Sequence, residues 1–217
     1  MFSRLHSHAA DAEVLDRLVV AATFPVDATR QHPWRVADLA ATLTIELGYA
    51  RAEADLVRGA ARFHDIGKID VSPNILGKPG PLNEIERRLM ERHADMGAQI
   101  LAAGRSPLLR LAAVIARTHH EWWDGGGYPR GLRGAQIPIT GRIVCVADAW
   151  DAMTADRPYR TGRPSGEAIL EWSSRPSPVS MTRAAGWWRS RGSANDPTAL
   201  PRKPIRVVRE HRVDLQV

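Results

Sequence analysis

The chain has 217 residues, with 30 Lys and Arg against 24 Asp and Glu and a single cysteine, Cys145. That length is one domain, or one domain with an appendage, and one cysteine excludes an internal disulfide, so nothing argues for secretion. The net charge of +6 gives no case for polynucleotide binding by the main body, because residues 1–170 carry 21 basic against 20 acidic side chains and residues 171–217 carry 9 against 4.

The N-terminus has no apolar signal core and no stretch approaches a membrane-spanning length, so a cytoplasmic protein without a membrane segment is expected. Helical signals dominate up to about residue 170. Val14, Leu15, Leu18 and Val19 suit one helix. Val36, Leu39, Ala40, Leu43 and Leu47 repeat at the three-to-four spacing of a second, which Gly48 ends. A third is expected from near Ala52 to His64, carrying Leu56, Val57, Ala60 and Phe63, with Gly67 as its stop. Asn83 and Glu86 read as a capping box opening the next, and Ser106-Pro107 starts a helix that ends at His119-His120. The glycine-rich run from Asp124 to Gly134 is a loop, and Pro138 opens a helix that continues through Asp148 and Asp151. No alternating run is long enough for a convincing sheet, so the expected fold is all-α. From about Glu171 serine, proline, arginine and tryptophan interrupt every helical register, and residues 171–217 are expected to be a basic, poorly ordered tail.

Five of the eight histidines recur with carboxylates at intervals that read as successive helix ends: His32, His64 with Asp65, His93, the pair His119-His120, then Asp148. Neutral imidazole plus carboxylate is the donor set for a borderline or hard divalent metal. Asp65 can bridge two cations; His32, His64 and Asp148 would complete one ion's shell, and His93, His119 and His120 the other. Two such ions, about 3.5–4 Å apart, clamp a phosphodiester, activate a water and neutralise the departing oxygen. Lys68 follows closely enough to stabilise the transition state or assist the leaving group. His6, His8 and His211 lie in end segments without partners and read as solvated. Asp151, one turn after Asp148, either orients a metal-binding side chain or bonds locally. Trp122 and Trp123 read as covering hydrophobic surface, and Lys78-Pro79-Gly80 as a tight turn.

Seven segments, in order, resemble the HD-GYP domain, a branch of the HD phosphohydrolase superfamily. They are His32-Pro33-Trp34-Arg35-Val36, His64-Asp65-Ile66-Gly67-Lys68, Ile75-Leu76-Gly77-Lys78-Pro79-Gly80, His119-His120-Glu121, Asp124-Gly125-Gly126-Gly127-Tyr128-Pro129, Val146-Ala147-Asp148-Ala149-Trp150-Asp151 and Arg157-Pro158-Tyr159-Arg160. The resemblance covers residues from about 27 to 168. It implies an all-helical bundle with a metal centre between helices, which hydrolyses the bacterial second messenger cyclic di-GMP to pGpG, and sometimes on to GMP. It implies iron or manganese as the ions, and His32, His64, Asp65, His93, His119, His120 and Asp148 as their ligands. Lys68 matches the lysine that contacts the scissile phosphate, beside Asp65 as the second catalytic residue. Gly127, Tyr128 and Pro129 match the loop that shapes the substrate pocket, and Asp151, Arg157 and Arg160 complete the substrate-binding set.

Where some members hold a third metal through a glutamate, this chain has Ala28, so a two-metal site is expected. The domain reading is a helical lead-in over 1–26, the HD-GYP-like body over 27–170 and the tail over 171–217. The tail's composition looks like a reading-frame change in a GC-rich gene or a divergent replacement. The residues before the match are too few for a sensor domain, so regulation is expected from a partner, a sensor or a diguanylate cyclase. Two other readings stay open: a catalytically weak module that binds cyclic di-GMP or a diguanylate cyclase, and another HD-superfamily enzyme, either a nucleotide phosphohydrolase or a di-iron oxygenase.

Overall fold

The computed structural model describes residues 31–155, together with Arg17, Val19, Gly162, Pro164, Gly166 and Glu167. Among them every regular element is helical: α1 (His32–Glu46), α2 (Arg51–Ala61), a 3-10 turn (Ile66–Asp70), α3 (Pro73–Leu76), α4 (Glu84–Glu91), α5 (His93–Ala102), α6 (Pro107–Thr118), a second 3-10 turn (Gly134–Gln136) and α7 (Ile139–Thr154). The all-α expectation holds. Of the first expected helix, Arg17 and Val19 are described and helical, and Val14, Leu15 and Leu18 lie outside the described residues. Ala28, Arg157, Arg160 and the tail lie outside them too.

Helix ends follow local chemistry. α1 stops where Gly48 takes a φ of +89°; its N–H bonds the Ile45 carbonyl at 2.9 Å and the Tyr49 N–H reaches Thr44 at 3.3 Å, closing the last turn as a left-handed cap does. Asn83 and Glu86 form the reciprocal box, each side chain accepting from the other's backbone N–H at 2.9 and 2.8 Å. Ser106 Oγ accepts from the Leu109 N–H at 3.2 Å, with Pro107 in the first turn, where a missing N–H costs nothing.

The third expected helix is shorter than its pattern. It ends at Ala61, and the chain tightens into successive turns, with Phe63 and His64 bonding back three residues to Ala60 and Ala61. Gly67 is not its stop. A Cβ there would meet the His93 carbonyl oxygen at 2.0 Å and the Gly97 nitrogen at 2.5 Å, so Gly67 is where the 3-10 turn presses on the backbone of α5. The contact with α5 is tertiary and belongs to the 3-10 turn beyond the helix, which no local pattern announces.

α1 packs on α2 and α7, α2 on α6, and α6 on both α5 and α7. The core joining them is rich in alanine (Ala37, Ala40, Ala60, Ala61, Ala112, Ala116 and Ala147), with Val36, Val57, Phe63, Leu101, Ile115 and Val144 filling the space between. Small side chains let helix axes approach closely. That closeness sets the beginnings of α1 and α5 beside the ends of α2 and α6, and so gathers groups distant in sequence. No helix among the described residues is long and apolar enough to cross a membrane.

Candidate metal centre

His32 and His93 open α1 and α5, His64 and Asp65 lie in the turns after α2, His119 caps α6 with His120 just beyond, and Asp148 and Asp151 come from α7. They meet in two groups, Asp65 with His93, His119 and His120, and His32 with His64 and Asp148, each with one donor atom per residue within 4.8 Å of the others.

Asp65 stands between the groups, with one oxygen toward each. Its Oδ1 is 3.4 Å from His93 Nε2 and 3.8 Å from His119 Nε2. Its Oδ2 is 3.4 Å from His64 Nε2 and 3.8 Å from His32 Nε2, and accepts from Lys68 Nζ at 2.5 Å. His32 Nε2 lies 3.3 Å from Asp148 Oδ1.

The far side of each ring is anchored. Nδ1 of His64 sits 2.9 Å from the Ala61 carbonyl, that of His93 2.7 Å from Met90, and that of His119 2.9 Å from Ala116. A carbonyl can only accept, so each Nδ1 carries a proton and each Nε2 is the atom turned to the centre. His32 is held by a carboxylate, with Nδ1 2.8 Å from Asp151 Oδ2. Arg35, one turn along α1, grips the same carboxylate through Nε at 2.5 Å and Nη2 at 3.0 Å. Asp151 thus spends both oxygens on His32 and Arg35, a place suited to holding an imidazole more than to meeting a substrate.

Two buried atoms, His64 Nε2 and Asp65 Oδ1, have no hydrogen-bond partner. Leaving such atoms unsatisfied is costly, and a divalent cation in each group would satisfy them. The donor set therefore fits divalent metal.

The electrostatics divide the histidines. Burial opposes charge on His32, but the bond to Asp151 and the carboxylates of Asp65 and Asp148 outweigh it and raise the ring to about 9. Burial, aided by His119 and Lys68 against Asp65, brings His93 down to about 4. Burial with His119 and His93 also pulls His120 well below its ordinary value, so both rings are neutral, the form that binds metal. Burial works against the charge of Asp65, yet Lys68 and the imidazoles of His64, His119 and His32 hold its carboxyl well below the usual range. Asp151 is likewise depressed to about 2, burial being overcome by His32 and Arg35.

The Gly-Tyr-Pro loop closes over the second group. The Tyr128 ring stacks on His120, centroids 4.6 Å apart and planes 29° apart, and meets His93 edge-on at 6.2 Å. Gly127 has no room for a side chain, since a Cβ would meet Trp122 N at 2.3 Å and His120 O at 2.4 Å. Trp123 packs beneath the Arg142 guanidinium, 5.6 Å from its ring centroid, as a surface-covering residue does.

The sequence reading passed over two groups. Arg35 was legible only as part of a motif, although its three-residue spacing from His32 puts it on the same helix face. Glu121, beside the His pair, is buried and bonded to the loop backbone, for which an acid in a polar segment gives no signal.

A family model described as HD domain matches residues 13–175. The chain is 44% identical over 159 residues to a cyclic di-GMP phosphodiesterase of Thermotoga maritima, covering 73% of this chain and 43% of that protein. It is 38% identical over 150 residues to the cyclic di-GMP phosphodiesterase response regulator RpfG of Xanthomonas campestris pv. campestris, covering 69% and 40%. It is also 43% identical over 132 residues to the 3'3'-cGAMP-specific phosphodiesterase 2 of Vibrio cholerae, covering 61% and 25%. The chain thus spans less than half the length of each of these relatives. With its helical bundle and its His/Asp groups gathered between helices, the chain belongs to the HD domain family, and its motifs are those of the HD-GYP branch.

Proposed function

We propose that this chain is a metal-dependent phosphodiesterase that hydrolyses cyclic di-GMP to pGpG, GMP or both. The observation that carries the reading is Asp65, buried between two donor groups with one oxygen facing each, the placement of a bridging carboxylate. His32, His64 and Asp148 would hold one divalent ion and His93, His119 and His120 the other, with iron or manganese the best match to the family resemblance. When bound, such ions would supply Lewis-acid activation of a water and charge neutralisation at the phosphodiester.

The chain's own groups provide the rest. The backbone carbonyls behind His64, His93 and His119 fix tautomer and aim, and Asp151 does the same for His32. Lys68, tethered to Asp65, keeps a cation at the centre, where it can pair with a phosphate oxygen or the departing one. The Gly-Tyr-Pro loop borders the site through Tyr128, and Arg157 and Arg160 are assigned to guanine or phosphate from the resemblance. The relatives' names span cyclic di-GMP and 3'3'-cGAMP, so both dinucleotides belong in any test. Regulation through a sensor or diguanylate cyclase partner completes the reading.

The test is turnover of both cyclic dinucleotides by the purified protein, with bound metal measured on the same sample and Mn²⁺ or Fe²⁺ added back. Metal-dependent release of linear product is expected. Asp65→Asn should abolish hydrolysis while leaving dinucleotide binding measurable. Hydrolysis that persists in this variant would remove Asp65 from the centre, and no turnover by a metal-loaded wild type would overturn the phosphodiesterase reading.

A further inference from the structure

Glu121 follows the His119-His120 pair directly and is 1% exposed. A carboxylate that deep must find partners, and both of its oxygens have one. Oε1 accepts from the Arg130 N–H and Oε2 from the Leu132 N–H, each at 2.8 Å. Both donors belong to the chain just after Tyr128-Pro129. The same loop is fixed on its other side, where the Tyr128 N–H donates to the His120 carbonyl at 3.0 Å and Gly127 lies tight against the backbone of residues 120–122. The segment between these anchors carries the ring that stacks on His120.

We propose that Glu121 is a positioning residue that locks the Gly-Tyr-Pro loop onto the metal-binding His pair, so that Tyr128 is held in place over His120. The chemistry requires this side chain. Two convergent N–H donors need two acceptors, and only a carboxylate offers two without presenting a donor. Glutamine would turn an NH₂ toward one of those N–H groups, and aspartate would withdraw both acceptors by one methylene. The pairing is also charge-assisted, which makes it stronger than a neutral contact of the same length. The inference deepens the proposed function, and only its activity readout rests on that reading.

The experiment compares the full chain with Glu121→Gln by residue-resolved amide hydrogen exchange, with metal content measured alongside. The Arg130 and Leu132 amides should exchange about tenfold faster or more, while α1, α2 and α6 stay protected and bound metal is unchanged. Turnover of cyclic di-GMP should show KM raised about tenfold with a smaller change in kcat, since the loop borders the site without supplying its ligands. If the glutamine variant does not fold, Glu121→Asp is expected to free the same two amides. Unchanged exchange at Arg130 and Leu132 would overturn the proposal, as would acceleration spread evenly through α6 and α7. A wild type without turnover would remove the phosphodiesterase reading, and the exchange measurement would still decide the clamp.

Discussion

A metal-binding imidazole works only if its ring is fixed, and His32 is fixed differently from the others. Where His64, His93 and His119 lean on carbonyls, His32 leans on a carboxylate that Arg35 holds in turn. Asp151→Asn keeps the shape and removes the charge, so His32 loses one of its charged partners and Arg35 the carboxylate it grips. The expected loss is about 10–100-fold in metal affinity or turnover, with the fold retained. Chelator competition on wild type and variant measures it, and equal affinities would reduce the His32–Asp151 contact to packing. At this scale the sequence was informative about donors and poor about supports. Imidazoles and carboxylates at successive helix ends announce themselves by type, and the chain brings them together in two groups. Glu121 and Arg35 carry no such mark, because an acid or a base declares its role only through the backbone or carboxylate that meets it.

Helix boundaries show the same division between local and distant causes. The starts of α4 and α6 were readable because Asn83, Glu86, Ser106 and Pro107 act on their own backbone. The end of α2 was not, because the chain beyond it turns to pack on α5, a contact no local pattern announces. This contrast is testable by substitution. Gly67→Ala drives a methyl group into the backbone of α5 beside His93, and α5 cannot yield without moving that ring. A cost of about 3 kcal/mol or more is expected, together with reduced metal content. Ser106→Ala removes one cap and should cost only ~1 kcal/mol, leaving metal binding intact because α6 carries its histidines at the opposite end. Denaturant midpoints with metal analysis decide it; equal costs, or metal loss in the serine variant, would contradict the picture of α5 and the 3-10 turn as the support of the centre.

For the molecule as a whole, the same histidines make stability depend on pH in two directions. His32 is raised from 6.5 to about 9 in the folded chain, so its contribution is complete below about pH 6.5 and disappears as pH climbs toward 9. His93 is lowered to about 4, so below about pH 6.5 the unfolded chain takes up a proton that the folded chain refuses, and stability falls on that side. Asp151, depressed to about 2, adds stability above about pH 4 that is lost only under stronger acid. Protein stripped of metal by a chelator should therefore melt highest near pH 6–7 and lower on either side. Divalent metal changes the alkaline limb. If His32 is a ligand, as proposed, binding needs its neutral imidazole and displaces that proton, so each unit of pH toward 9 should strengthen it. Saturating Mn²⁺ should raise Tm, by about 2.7 kcal/mol of stability at a hundredfold excess over Kd. The increase should be larger at pH 8.5 than at pH 6, moving the optimum alkaline. Thermal melts across this range, with and without the ion, measure both limbs. A flat chelated profile would mean that His32 is not held charged by its carboxylates, and a metal-induced rise independent of pH would mean that His32 is not among the groups that give up a proton to the ion.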